Sequence, residues 1–116
     1  LSNSLLDVPW PKVSKAVKAV EALSDEQAIK PEQLFAIMAD QTLPPDDELP
    51  QTGVGIDFER VLAPAFVAGE SYGYGTKLTT VILVDRNHCV NFWERSYKKG
   101  NTADYTDVHY SFQIQN

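Results

Sequence analysis

The stretch from Thr76 to Tyr97 constrains this chain more than any other. Leu78 to Val84 is rich in β-branched residues, Asp85-Arg86-Asn87-His88 supplies turn chemistry, and the return run from Cys89 carries Val90, Phe92, Trp93 and Tyr97. Together these spell a β-hairpin. The outgoing strand does not alternate, because Val81-Ile82-Leu83-Val84 is apolar at every position. Successive strand side chains point to opposite faces, so a strand with one wet face alternates and a fully apolar one needs cover on both. The hairpin is therefore expected in a sheet with helices on one face and a second layer on the other.

Before the hairpin the pattern is helical. Pro9 and Pro11 hold the lead-in extended, and Pro11 suits a helix first turn, where its missing N–H costs nothing. Val13, Ala16, Val17, Val20 and Leu23 then form one stripe, with Lys12, Lys15 and Lys18 on the solvated side. A second helix opens at Pro31, buries Leu34, Phe35 and Met38 and ends near Asp40. Gln41 to Gly55 reads as loop, and Asp57 as the cap of a short helix through Phe58, Val61 and Leu62, ended by Pro64. All seven prolines lie at or before Pro64, which divides a helix-and-loop segment, 1–64, from a strand segment, 65–116. Lys98 to Asp104 is a polar connection to a last strand. There Val108, Tyr110, Phe112 and Ile114 alternate with polar residues, as on an edge strand with one wet face.

The 116 residues allow one domain with one modest core. A net charge of −6 argues against nucleic acid and anionic membranes. No apolar run reaches the roughly 18–20 residues of a membrane span. One cysteine rules out an internal disulfide and suits a reducing compartment, so a cytoplasmic location is expected. A chain that begins at Leu1 reads as a piece of something longer.

Few residues invite a chemical role. His88 and Cys89 are neighbours on a strand and point apart, so Cys89 reads as a buried structural thiol, not an activated nucleophile. If Tyr97 faces Tyr105, then His109 lies opposite Trp93 and His88 near Ile114. The histidines are then too far apart to share a metal, and no metal site is expected; either could serve singly as an axial haem ligand. Gly53-x-Gly55 and Gly73-x-Gly75 lack the strand-then-helix context of a phosphate loop and read as turn glycines. Asn3 has two readings, a turn or cap residue or an amide donor to an oxyanion. Arg60 reads as a surface ion-pair residue.

A family resemblance adds to this. The segments are Leu1-Ser2-Asn3-x-Leu5-Leu6-Asp7-x-Pro9-Trp10-Pro11-Lys12-Val13, Leu34-Phe35-Ala36 through Leu49-Pro50-x-Thr52-Gly53-Val54-Gly55, Glu59-Arg60-x-Leu62, Tyr74-Gly75-Thr76-x-x-Thr79-Thr80-Val81, and Val84-Asp85-Arg86 through Glu94-Arg95-Ser96-Tyr97. In that order and spacing they resemble the C-terminal part of the NRDE-motif proteins, the transport-and-Golgi-organisation protein 2 family. The N-terminal Cys and the Asn-Arg-Asp-Glu motif of that family are not in this chain, and Lys77 stands where Arg is more usual. The resemblance implies an N-terminal-nucleophile hydrolase fold, two stacked sheets between two helical layers. More distant amidases of that superfamily imply roles for Asn3, as an oxyanion donor, and for Arg60, as a charge-stabilising group.

The expected fold is thus α+β, the C-terminal half of an αββα sandwich, with helices followed by an antiparallel three-stranded sheet. The first functional expectation is part of a hydrolase of small-molecule amide bonds, inactive without its N-terminal half. The alternative is a carrier of a lipophilic ligand such as haem, held by Trp10, Phe58, Trp93 and Tyr110; no resident cofactor is expected under either. The expected partners are a small-molecule ligand or substrate and the missing half of the chain, with homodimerisation of the fragment through an uncovered sheet face.

Overall fold

The computed structural model describes residues 4–25 and 28–115. Three helices, α1 (Pro11–Leu23), α2 (Pro31–Met38) and α3 (Ile56–Leu62), precede three strands, β1 (Leu78–Val84), β2 (Cys89–Lys98) and β3 (Asn101–Gln113). The sheet is antiparallel in the order β1-β2-β3, which gives the α+β arrangement of helices first and sheet after. Among the described residues no helix is long and apolar enough to cross a membrane.

Local chemistry sets the boundaries. Pro11 and Pro31 each occupy a helix first turn, and the Gln33 side chain accepts the Lys30 N–H at 2.7 Å ahead of α2. Asp57 does not cap α3. The helix starts at Ile56, two residues earlier than such a cap would place it, behind Gly55 at φ 88°, and the Asp57 carboxylate turns to Arg60 instead. In the β1–β2 turn one oxygen of Asp85 accepts the N–H groups of Asn87 and Cys89, each at 2.9 Å, with His88 at φ 62°. The polar run after β2 is mostly strand. Lys99 and Gly100, at φ 50° and 61°, make the whole turn, because two consecutive positive-φ residues close a two-residue hairpin.

The register assigns the two sheet faces. On one lie Thr79, Val81, Arg95, Tyr97 and Asp107, and here the helical half packs. Phe66 meets Tyr97 edge-on at 4.8 Å, and Phe35 lies 4.0 Å from the Arg95 guanidinium. Phe35 and Phe66 are the largest fully buried side chains and mark the centre of the core. Arg95, also buried, is bidentate to Asp107 at 2.9 Å and reaches Glu32 of α2 at 2.7 Å. The Tyr105 ring closes its other side at 3.8 Å. These hydrogen bonds, those of Asp107 foremost, push its pKa above the ordinary arginine range.

The other face has no such cover. Val84, Val90 and Phe112 form one row across it, and Ile82, Phe92 and Tyr110 the next. Ile82 and Phe112 are each 55% exposed and Tyr110 is 61% exposed, while Val90 in the middle strand is buried. The apolar side chains of β3, expected inside, are therefore outside. The α1 stripe also lies outside the core: no residue of α1 is buried, and Val17 and Val20 line an open groove with Met38 and Ile82. Met38 is exposed there, where a core position was expected, because α1 approaches α2 without closing on β1.

Candidate functional site

Arg60 projects from α3 toward the short 3-10 turn Asp46–Glu48. Its Nε donates to Asp46 Oδ1 at 3.0 Å and its Nη2 to Asp46 Oδ2 at 2.6 Å. Nη1 donates to Asp57 Oδ1 at 2.9 Å. Hydrogen bonding to Asp46 raises the arginine pKa and lowers that of Asp46 in return. A guanidinium has five N–H groups, so three bonds leave two for another acceptor. Asn3 lies outside the described residues.

The remaining residues singled out from sequence are dispersed. His109 stacks on Trp93 with centroids 4.6 Å apart and planes 4° from parallel, and its Nε2 lies 3.0 Å from Asn91 Oδ1. His88 sits at the far turn, its carbonyl accepting the Ile114 N–H at 3.0 Å. Cys89 is half-buried, not buried, with Sγ 3.5 Å from Ser111 Oγ. The four aromatics of the expected carrier pocket separate. Trp10 lies beside Lys12, Phe58 packs on Tyr72, and Trp93 and Tyr110 occupy opposite faces of the sheet.

Charge gathers instead around a cavity of about 400 Å³ between the start of α1, the 44–52 loop and α3. Glu59 on its wall is 5% exposed. A single oxygen, Oε1, accepts both the Thr52 N–H at 2.6 Å and the Thr52 hydroxyl at 2.5 Å. Lys12 lines the same cavity. Its ammonium donates to the Leu62 carbonyl at 2.9 Å and lies 5.6 Å from the Trp10 ring centre. Burial lowers its pKa, as withdrawal from water disfavours the charged form. Sequence reasoning gave Glu59 no role and set Lys12 on a solvated face. Thr52 and Glu59 both fall in segments that carry the family resemblance, but nothing local in the sequence pairs them.

Comparison with known proteins follows the same segments. The family described as Transport and Golgi organisation 2 matches residues 1–99. The Transport and Golgi organization 2 homolog of Mus musculus is 30% identical over 121 residues, covering 99% of this chain and 44% of the mouse protein. The human homolog is 31% identical with the same coverage, and the Bos taurus homolog is 28% identical over 127 residues. The chain thus spans less than half the length of the curated relatives it matches. No solved structure matches it.

Proposed function

Because the chain belongs to the Transport and Golgi organisation 2 family, we propose that it is one helix-and-sheet half of an αββα sandwich of the N-terminal-nucleophile type, whose full-length protein hydrolyses a small-molecule amide, a C–N bond outside a peptide chain. The observation that carries this reading is the two-sided sheet, helices against one face and an apolar second face left open. An αββα sandwich requires that division, since each sheet buries its inner face against the other. Soluble monomers rarely expose contiguous apolar patches beyond a few hundred Å², so this face calls for a covering layer.

Under this reading the remainder of the protein supplies an N-terminal cysteine. Its thiolate adds to the amide carbonyl with its own α-amino group as base. The C–N bond then breaks as the amine leaves with a proton, and water cleaves the thioester to give the carboxylate and the free thiol. Asn3 donates to the oxyanion of the tetrahedral intermediate, and the two unused N–H groups of Arg60 face developing negative charge. This chain alone carries no such nucleophile and is inactive. The mechanism needs a free thiol, which a reducing compartment preserves, and we read the full-length protein as cytoplasmic. A carrier of haem or an acyl compound is the weaker reading, since its four aromatics do not converge.

The test is the intact mass of the protein expressed from its own start codon, before and after a thiol-directed label, followed by an amide screen. Removal of the initiator methionine, a fast-labelling N-terminal cysteine and amine release abolished by Cys→Ala support the mechanism. A retained methionine, or a first residue without a nucleophile, overturns it.

A further inference from the structure

The cavity beside α1 holds two opposite charges that do not neutralise each other. Glu59 is one of the few buried charged residues, and both of its bonds from Thr52 end on Oε1. Its second carboxylate oxygen has no partner among the described residues. The Lys12 ammonium has three N–H groups and spends one on Leu62. Lys12 and Glu59 are not in ion-pair contact, although both line the cavity. Glu59 is buried as a residue, yet its second oxygen is unpaired and not shut off from solvent. That oxygen and the partly desolvated Lys12 ammonium present an acceptor and a donor to one space without meeting each other.

We propose that this cavity is a recognition site for a small carboxamide bearing an apolar group. The amide N–H₂ donates to the free oxygen of Glu59, and its carbonyl accepts from Lys12. The apolar group lies against Trp10, Pro50 and Leu62, which line the same space. A carboxamide fits better than an amino-acid zwitterion. It satisfies both groups with a neutral dipole, whereas a zwitterion would bring two further full charges between apolar walls and lose their hydration. At about 400 Å³ the cavity lies toward the lower end of the ~300–1,000 Å³ range of small-molecule sites, with room for a ligand of about ten non-hydrogen atoms. The site is built from this chain's own side chains and does not depend on the N-terminal nucleophile, so it stands or falls separately from the hydrolase.

The probe is benzamide, with benzoate, benzylamine and phenylalanine as comparators. Each is titrated into the ¹⁵N-labelled full-length protein while the Trp10 indole and Thr52 amide resonances are followed. Assignment uses Trp10→Phe. Benzamide is expected to shift both signals saturably with a Kd on the order of 1 mM, as its size allows, and the comparators to bind at least about tenfold more weakly. Glu59→Gln retains a carbonyl for Thr52 but turns the free acceptor into a donor, and should weaken benzamide about tenfold. Where Glu59→Gln disturbs the fold, Lys12→Met carries the test, with the same loss expected. Four results would overturn the proposal: no benzamide shift; benzoate or benzylamine binding as well as benzamide; phenylalanine binding in its place; or folded Glu59→Gln and Lys12→Met proteins that bind benzamide unchanged.

Discussion

Arg95→Ala is expected to be the most destabilising single change on the helix-covered sheet face. The side chain is 7% exposed and makes two hydrogen bonds to Asp107 and one to Glu32. It is clamped between Phe35 and Tyr105 at 4.0 and 3.8 Å. Hydrogen bonds to charged groups contribute about 1.5–3 kcal/mol each where both partners are buried. Here Glu32 is 68% and Asp107 35% exposed, so both carboxylates recover water once the arginine is gone and their shares shrink accordingly. Two cation–π contacts add about 0.5–1 kcal/mol each, and the stem leaves a void against Phe35. With the void added, the sum is about 3–5 kcal/mol, and it comes from the lost contacts of the arginine and not from a stranded carboxylate, since both partners regain water. Urea unfolding followed by far-UV circular dichroism measures it. Glu32→Ala should cost only about 0.5 kcal/mol and Asp107→Asn an intermediate amount. If Arg95→Ala cost under about 1 kcal/mol, or if Glu32→Ala matched it, the clamp would not hold α2 to the sheet as argued.

Three further outcomes follow from single sites. The Asp40 carboxylate is held down to about 2 by Lys15 first and Thr42 second. Its folded pKa thus lies below its unfolded value, and its stabilisation, about 1 kcal/mol after screening of the exposed lysine, is present above pH 4 and lost toward pH 2. Asp40→Asn should flatten the acid limb of stability over that window, and an unchanged limb would contradict the assignment. At Gly69 an added Cβ would lie 2.3 Å from the Tyr74 carbonyl oxygen and 3.0 Å from Val61, so Gly69→Ala should lower stability by about 2 kcal/mol or more in thermal unfolding, whereas an unchanged Tm would refute the close approach. The buried Tyr97 hydroxyl has no hydrogen-bond partner among the described residues. Tyr97→Phe, which retains the edge-on contact with Phe66, should therefore be neutral or stabilise by up to about 1 kcal/mol, and a clear loss in urea unfolding would point to a partner for that hydroxyl.

What could be read in advance depended on how local its cause was. The Asp85–His88 turn needs only side chains adjacent to it, and the pairing of Tyr97 with Tyr105 sets His109 on Trp93 and His88 beside Ile114, all as expected from alternation along two strands. The apolar character of both sheet faces was likewise legible in Val81-Ile82-Leu83-Val84, but the cover expected on both is present on one only. Arg95 was not, because a charged residue on a strand reads as a wet position until its partner is known, and Glu32 lies 63 residues away. Glu59 stayed hidden for a similar reason: its burial comes from the 44–52 loop folding back over α3. Met38 and the α1 stripe misled in the opposite sense, since helical periodicity says which residues share a face and not whether anything covers it.

The central claim, that the apolar sheet face is an internal surface of a larger sandwich, is tested most directly by thiol accessibility. Ile82→Cys on a Cys89→Ser background is labelled in this chain alone and in the full-length protein, and the modified peptide is quantified by mass. The account predicts rapid labelling in the chain alone and at least about a hundredfold protection in the full-length protein, the ratio that about 3 kcal/mol of local opening free energy provides. Equal rates in the two would mean that nothing in the remainder of the protein covers this face, and the sandwich would have to be abandoned.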